Sequence, residues 1–270
     1  MRLFCAILLF SALSSPAGTY YFRLDGDDAN DGSSWAAAKS NLQGFVLSQT
    51  GGGNEIYAGA GDWQMTNDAL RVAKNTTLRG AASNKTALVG AGTNVVIATG
   101  TNVWLIGLTI TGGDSRYGGA GVHGYGSSFA ALIGLSNCVV VSNVYRWAGG
   151  GDAGGGVCWA KVYNSVIDSC WTTNTDNGPG GGAYYSYLYD STIQNCSAKS
   201  AFGGGMWGGA AYRSIIRSNY ARLFGGGQST ANAVDCLISS NYAVEGGGGA
   251  YYGTGSNTVY EWNSSSGYGA

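Results

Sequence analysis

The chain has 270 residues, of which 48 are glycine and 2 are proline, and its net charge is −1. Glycine is far above its roughly 7% average share, and long helices are disfavoured because an interior glycine costs about 0.5–1 kcal/mol relative to alanine. The near-zero charge gives no basic surface for nucleic acid. Collagen is excluded by the lack of a three-residue period, and disorder by the 44% hydrophobic content. What remains is a β-rich protein.

The first 17 residues have the pattern of a secretory signal peptide. Arg2 gives a positive start, an apolar core runs from Leu3 to Leu13, and small residues lead to Ala17, where we expect cleavage. This core is too short for a membrane span, which needs about 20 apolar residues, and no later stretch is long enough. We therefore predict a secreted, outer-membrane or cell-surface protein; the alternative is that this segment is a buried strand or helix.

The N-terminal part of the mature chain, residues 18–55, is predicted to be a cap. A strand from Tyr20 to Leu24 leads into an acidic turn, and a helix follows with Ser33 or Ser34 as N-cap, ending near Gln49. Such a helix would cover the apolar end of the domain that follows.

The second half of the chain consists of repeats that each begin at a glycine cluster. The residues after five successive clusters are 26, 23, 22 and 22 positions apart: Val157, Ala183, Met206, Gln228 and Ala250. Each repeat then has a small residue: Cys138, Ser165, Ser191, Ser214 or Cys236. Two places later comes an aliphatic residue: Val140, Ile167, Ile193, Ile216 or Ile238. Three places further comes Asn or Cys: Asn143, Cys170, Cys196, Asn219 or Asn241.

These repeats indicate a stacked fold. The two-residue step places both side chains on one face of a strand, and the buried Asn marks a bend whose backbone it bonds. Because so short a unit cannot bury a face alone, we predict an all-β, right-handed parallel β-helix (solenoid) over residues 56–270. A β-propeller is the competing architecture, but its blades need about 40–45 residues. One predicted ladder is aromatic or polar: His123, Cys158, Tyr184, Trp207, Ser229 and Tyr251.

The cysteines are explained by the same alignment. The mature chain keeps five, so at least one is unpaired, and no pair has the CxxC spacing of a structural zinc site. Cys170 and Cys196 share a rung position on adjacent coils, within the Cα distance of about 4.4–6.8 Å that a disulfide requires. Stacked Cβ atoms point in parallel, which favours free thiols over the disulfide.

The chain resembles exported bacterial β-helix proteins of the pectin-lyase-like superfold. The resemblance is carried by YYFRLDGDDANDGSSW, NEIYAGAGDW, TTLRGA and GLTITGG, and covers nearly the whole mature chain. The coils are most similar to polymorphic outer-membrane protein repeats. The resemblance implies the fold and export, but not one activity, since this superfold hosts lyases, hydrolases, adhesins and coat proteins.

The acidic turn is a candidate calcium site. Asp25, Asp27, Asp28 and Asp31 supply the oxygen ligands that Ca²⁺ prefers, although their spacing is not that of an EF-hand. The alternative is a solvated Asx-rich turn.

Charged residues recur at the positions predicted to face outward on the best-defined strands. Stacking places Arg213 between Asp190 and Asp235, with Arg217 on the same coil. The resembled superfold uses an arginine base in its lyases and paired carboxylates in its hydrolases, which makes these four residues catalytic candidates. An arginine between the carboxylates keeps both ionised, so a surface charge ladder is the simpler interpretation.

Exposed aromatic side chains near the glycine bends are candidates for stacking on sugar rings. They are Trp159, Trp171, Tyr185 and Tyr187. We predict an adhesive or carbohydrate-binding surface protein whose partner is a polysaccharide or a host or cell-surface ligand. The alternative is a polysaccharide lyase or glycoside hydrolase of the same fold. An enzyme should have a cleft with a perturbed carboxylate and converging basic residues.

The last coil still follows the repeat up to Ala270. We therefore expect the β-helix to continue in a longer protein or, as the less favoured alternative, to associate end to end through its uncapped strand.

Overall fold

The chain winds into a parallel β-solenoid with a short helix near its N-terminal end. The computed structural model describes residues 17–116, 118–124, 126, 132–146, 152–173, 179–267 and 269. Within these ranges every strand pairing is parallel, and strands pair with their counterparts on neighbouring coils. The predicted β-helix is therefore confirmed. The predicted signal peptide, except for Ala17, lies outside the described residues.

Two of the sheets are single stacks of short strands. The larger has nine strands in the described ranges: Gly61–Gln64, Thr86–Val89, Thr109–Thr111, Val139–Val141, Val166–Asp168, Thr192–Gln194, Ile215–Arg217, Leu237–Ser239 and Val259–Glu261. The smaller has seven by the same count: Asp114–Ser115, Val144–Tyr145, Trp171–Thr172, Ser197–Ala198, Tyr220–Ala221, Tyr242–Ala243 and Ser264–Ser265.

The third sheet has sixteen described strands, arranged as two stacks side by side. The first stack contains Leu70–Val72, Val96–Ala98, Val122–His123, Val157–Cys158, Gln228–Ser229 and Ala250–Tyr251. The second stack contains Thr19–Phe22, Glu55–Ala58, Thr77–Gly80, Trp104–Ile106, Ile133–Ser136, Ala160–Tyr163, Asn232–Val234 and Thr254–Ser256. Two longer strands run through both stacks: Ala183–Tyr189 and Met206–Tyr212.

The interior is filled by the predicted aliphatic ladder. Its members pair in register on successive coils, and each is 0% exposed: Val140, Ile167, Ile193, Ile216 and Ile238. The residues after the glycine clusters pair in the same way: Val157, Ala183, Met206, Gln228 and Ala250. Each fully buried aliphatic side chain contributes about 1.5–3 kcal/mol of transfer free energy. The repeat phase read from the sequence is therefore confirmed.

A hydroxyl ladder closes one corner of the coil. The backbone N–H of Cys138 donates to Ser165 Oγ at 3.0 Å, and that of Ser165 donates to Ser191 Oγ at 3.2 Å. The N–H of Ser191 continues the series to Ser214 Oγ at 3.1 Å. Each small side chain thus pairs a buried backbone donor of the preceding coil.

An asparagine ladder closes another corner. Asn219 Oδ1 accepts the N–H of Cys196 at 2.9 Å, and Asn241 Oδ1 accepts the N–H of Asn219 at 2.9 Å. The Asn219 amide also donates to the carbonyl of Ile193 at 3.2 Å. Asn219 and Asn241 are 2% and 0% exposed, which confirms the prediction that they are buried and bonded to backbone at a bend.

The glycine clusters leave room for these corners. A Cβ on Gly205 would lie 2.5 Å from the carbonyl oxygen of Gly227 and 2.9 Å from Asn219 Nδ2. Gly203, two residues earlier, has a φ of +66°, a left-handed conformation that side chains disfavour. Any larger residue would therefore push neighbouring coils apart.

The N-terminal helix is shorter than predicted. It spans Leu42–Ser48 and begins after Asn41, whose side chain accepts a helix N–H, whereas the sequence suggested a helix over residues 34–49. The preceding residues form bends and a turn, and Lys39 makes a parallel bridge to the first strand, with its N–H donating to the carbonyl of Tyr21 at 3.0 Å. Pairing with the first strand thus overrides the helical preference of this segment.

The helix nevertheless covers apolar surface at the N-terminal end. Leu42 and Val46 are 1% and 2% exposed, and the ring of Phe45 lies 4.5 Å from that of Tyr20 and 5.1 Å from that of Phe22. Across the described residues, no helix has the length and apolar character needed to cross a membrane.

The five cysteines of the described residues are buried free thiols. Cys170 and Cys196, on successive rungs, have the predicted thiol state, and Cys138 and Cys236 belong to the hydroxyl ladder. Cys158 differs from these four because it lies on the outward side of its strand, in register with His123.

We predict that Asn219→Leu lowers the free energy of unfolding by about 1–3 kcal/mol, because the buried backbone groups that it bonds lose their partner. Urea denaturation followed by circular dichroism measures the change. Asn232→Leu is the matched control, since Asn232 is exposed on a strand and its change should be small. Equal losses in both variants would show that the ladder adds nothing to stability.

Candidate functional site

One outward column of side chains runs along the first stack of the third sheet. Its members pair in register from coil to coil: Arg71, Ile97, His123, Cys158, Tyr184, Trp207, Ser229 and Tyr251. The residue before each member points into the core. Seven pairing steps of about 4.8 Å give the column a length of roughly 34 Å. We call it the outward column.

A charged groove of about 450 Å³ lies at the N-terminal end of the outward column. It is lined by Asp68, Arg71, Asn94, Asp114, Arg116 and Arg146, among others. Arg146 Nε donates to Asp114 Oδ1 at 2.6 Å, and Arg71 Nε donates to Asp68 Oδ2 at 3.1 Å. The hydrogen bond from Arg71 lowers the pKa of Asp68, so that carboxylate is ionised at neutral pH.

The floor of the groove is held by a buried polar network. Ser115 Oγ donates to Asn94 Oδ1 at 2.6 Å, and Asn94 Nδ2 donates to the carbonyls of Gly118 and Gly119 at 2.9 and 2.7 Å. Asn94 and Ser115 are 1% and 2% exposed. The charged rim therefore sits on a rigid base.

An aromatic cleft of about 390 Å³ lies at the other end of the outward column. Its lining is Pro179, Phe202, Trp207, Ser229, Thr230, Tyr251 and Tyr252. The rings pack in order: Trp207 stacks on Tyr184 with centroids 5.2 Å apart, and Tyr251 stacks on Phe224 at 4.3 Å. Tyr252 is 80% exposed, so part of this aromatic surface faces solvent.

The cleft exists because small residues interrupt the aromatic series. Ser229 lies between Trp207 and Tyr251 in the outward column, while Gly208 and Thr230 take the adjoining positions on their coils. At this corner the backbone is left-handed even at large side chains, with φ of 42° at Tyr185 and 50° at Tyr252. The same left-handed conformation recurs at corner residues of other coils, including Asp190 and Arg213, so it belongs to the geometry of the repeat.

Two of the four predicted sugar-stacking residues lie beside this cleft. Trp159 and Tyr185 are parallel, with ring centroids 4.7 Å apart, and Tyr185 meets Trp207 edge-on at 4.8 Å. Trp171 lies in the seven-stranded sheet, beneath Lys199 Nζ at 5.2 Å. Tyr187 lies in the part of its strand that belongs to the second stack, in register with Lys161. The structure thus separates the four residues into three places.

Sequence reasoning missed the residues of the charged groove and two phenylalanines of the aromatic region, and only the phenylalanines follow a sequence motif. Phe202 and Phe224 each precede a glycine cluster in the motif FGGG, and this repetition could have placed them in one column. The groove residues Asp68, Arg71 and Arg146 come from irregular coils, where no repeat fixes the phase.

The predicted catalytic residues lie in two separate rows, and an ion pair joins Arg213 to Asp190. Asp190, Arg213 and Asp235 are at corners with φ of 50°, 47° and 54°, so their predicted placement on a strand is wrong: the chain turns there before entering the nine-stranded sheet. Arg213 donates to both oxygens of Asp190 at 2.8 and 2.7 Å, which lowers the pKa of Asp190. Asp235 instead accepts from Asn257 at 2.5 Å.

Arg217 does lie on a strand, as predicted. It donates to Gln194 Oε1 at 3.0 and 2.7 Å, and Gln194 donates to Asp168 at 2.8 Å. This row is separate from the exposed Asp190–Arg213 pair, and its members Asp168 and Gln194 are half-buried.

The acidic turn uses its carboxylates separately. Asp25 pairs with Arg23 at 2.5 Å, whereas Asp27 and Asp31 each accept a backbone N–H two residues ahead. Asp28 accepts the N–H groups of Ser40 and Asn41 at 2.9 and 2.7 Å, and the latter bond is the main reason that the pKa of Asp28 is lowered. Calcium at this turn remains a prediction of the sequence alone.

Comparison with known proteins gives little beyond this geometry. No family model and no curated protein matches the chain. Among solved structures, pectin methylesterase from carrot is similar with a TM-score of 0.44 and 13% identity, over 91% of this chain and 87% of that one. A likeness this distant does not bear on activity or ligand.

We predict that Gly208→Ala destabilises the protein and disturbs the cleft. An added Cβ would lie 2.8 Å from a ring carbon of Tyr185, and the φ of Gly208 is +66°. Gly92→Ala is the matched control, because Gly92 has a φ of +82° with nothing within 4 Å of its Cβ. Both variants lose roughly 1–2 kcal/mol of stability because alanine is strained in a left-handed conformation. Any further loss of stability in Gly208→Ala therefore measures the clash with the ring of Tyr185. Urea midpoints and near-ultraviolet circular dichroism report it; equal losses would contradict the packing.

Proposed function

We propose that this protein is exported and binds an acidic polysaccharide along the outward column. The supporting observation is that the charged groove and the aromatic cleft lie on the same column, one at each end. Binding through both requires an extended ligand that carries anionic groups and apolar ring faces. Of the adhesive and carbohydrate-binding roles expected from the sequence, this arrangement favours carbohydrate binding.

The charged groove suits carboxylate or sulfate groups. Arg71, Arg116 and Arg146 line it against the two carboxylates of Asp68 and Asp114, which gives three positive and two negative charges. Within the described residues, Arg116 forms no salt bridge, so its planar guanidinium is available for bidentate contact with an anion. Exposed salt bridges contribute little stability, so the paired arginines are able to exchange partners.

The aromatic cleft suits a sugar ring. Its volume of about 390 Å³ lies within the roughly 300–1,000 Å³ typical of small-ligand sites. Its walls are aromatic faces, which pack against apolar C–H surfaces, while the polar edges of the tyrosines reach solvent. Ser229 and Thr230 add hydroxyl groups at the base that can bond a sugar hydroxyl.

An enzyme of the same fold is the alternative function. The charged groove meets part of the expectation for one, since basic residues converge on a carboxylate with a shifted pKa. The shift of Asp68 is downward, however, which suits an ionised binding group and not a general acid. Release of reducing or unsaturated ends from the polysaccharides below would favour the enzyme.

The experiment is a binding titration of the purified protein against polygalacturonate, alginate and a neutral xylan, by calorimetry at two salt concentrations. We expect binding to the acidic polymers that weakens with salt, because the groove contributes screened charge interactions, and weaker binding to xylan. Trp207→Ala should reduce affinity about three- to tenfold through lost ring stacking. Arg146→Ala should reduce affinity and flatten the salt dependence.

Matched controls separate these effects from general damage. Trp262→Ala removes a tryptophan that is 82% exposed beside the nine-stranded sheet, and Arg222→Ala breaks an exposed salt bridge to Glu245; both should leave binding unchanged. The proposal fails if no acidic polymer binds, if xylan binds as tightly, or if the controls lose as much affinity as the site variants.

A further inference from the structure

The middle of the outward column holds three side chains of the kinds that bind transition metals. His123 and Cys158 are in register on adjacent coils, and Asp152 comes six residues before Cys158. One ligand atom of each lies within 4.8 Å of the others. Among the described residues this is the one group of three or more His, Cys, Asp or Glu side chains with such spacing.

The distance between the first two ligand atoms is long for a direct hydrogen bond and matches the spacing of two ligands on one ion. His123 Nε2 lies 3.4 Å from Asp152 Oδ2, beyond the roughly 2.7–3.2 Å of an ordinary N–H···O bond. Zinc binds nitrogen and oxygen at about 2.0–2.2 Å in a tetrahedron, which separates two ligand atoms by about 3.4 Å. A Zn–S distance of about 2.3 Å puts sulfur roughly 3.6 Å from the other two ligand atoms. The ligand atoms now lie within 4.8 Å of one another, so the sulfur would move by about 1.2 Å at most.

Cys158 lies outside the two ladders that hold the other described cysteines. The other four described cysteines occupy the hydroxyl and asparagine ladders, where serine or asparagine stands on neighbouring coils. Cys158 occupies the outward column, where its neighbours are His123 and Tyr184, and it is still 0% exposed. Its buried sulfur lies within 4.8 Å of a ligand atom of His123 and of Asp152.

We propose that His123, Asp152 and Cys158 form a tetrahedral site for Zn²⁺. A mixed set of nitrogen, oxygen and sulfur ligands suits this borderline ion, whereas Ca²⁺ and Mg²⁺ prefer oxygen alone. Three protein ligands leave the fourth position for water or another exchangeable ligand. The side chains of His123 and Asp152 are 23% and 43% exposed, so this fourth position faces solvent.

The test titrates Zn²⁺ alone and Co²⁺ alone into chelator-treated, reduced protein. One equivalent of Zn²⁺ should bind, and Co²⁺ should give thiolate-to-cobalt charge-transfer absorption with the intense visible bands of a tetrahedral ion. Cys158→Ser should abolish the charge-transfer absorption, and His123→Gln and Asp152→Asn should each weaken Zn²⁺ binding at least tenfold. Because His123 is partly exposed, its variant keeps the test valid if Cys158→Ser fails to fold.

Cys138→Ser is the matched control. Cys138 is also buried, but Ser165 and Ser191 fill the same ladder position on later coils, so serine is compatible with the fold there. This variant should bind Zn²⁺ and Co²⁺ as the unaltered protein does. The absence of a stoichiometric site, a charge-transfer band that survives Cys158→Ser, or equal binding by His123→Gln would each overturn the proposal. These readouts do not depend on polysaccharide binding.

Discussion

The structure depends on hydrogen bonds between a backbone N–H of one coil and a buried side-chain oxygen of the next. Most strands have only two to four residues and make few ladder bonds of their own, and a slip of one residue would turn every core side chain outward. The hydroxyl ladder through Ser165 and the asparagine ladder through Asn219 oppose such a slip, because each accepts an N–H at only one register. The glycine clusters make this possible by allowing the coils to approach.

Fixed register on the inside dictates alignment on the outside. Because Val157, Ala183 and Met206 stack in the core, the residues that follow them must stack in the outward column. Tyr184 therefore lies directly over Trp207, and an aromatic wall arises from nothing more than the repeat phase. A small residue on one coil, Ser229, then suffices to open a cleft.

The repeats made the fold predictable because core position and sequence position coincide. The aliphatic, hydroxyl and asparagine ladders follow from one spacing rule, and so does the outward column from His123 to Tyr251. The helix was overestimated because Lys39 pairs with the first strand, a long-range bond that local propensity does not reveal. Asp190 and Arg213 were placed on strands because alternation alone does not show that the chain turns left-handed at those residues.

The sites themselves were less predictable, since they join residues that no repeat relates. The charged groove brings Arg71 near Arg146, and the metal-ligand group brings His123 near Asp152, in each case across coils of unequal length. No sequence motif such as CxxC marks the metal-ligand group, because its residues are brought together by the stacking of coils and are not close in sequence. Contacts between irregular coils therefore cannot be predicted from the repeat alone.

The inner and outer positions of this solenoid obey different constraints. The corner of the hydroxyl ladder needs a small acceptor, which serine supplies at Ser165, Ser191 and Ser214 and cysteine supplies at Cys236. An outer position does not have to accept a backbone N–H, so its side chain is free to differ from coil to coil. The outward column instead changes from charged at Arg71, through His123 and Cys158, to aromatic at Trp207. In the proposed function a polysaccharide lies along this axis, and its anionic groups and ring faces contact different ends of the column.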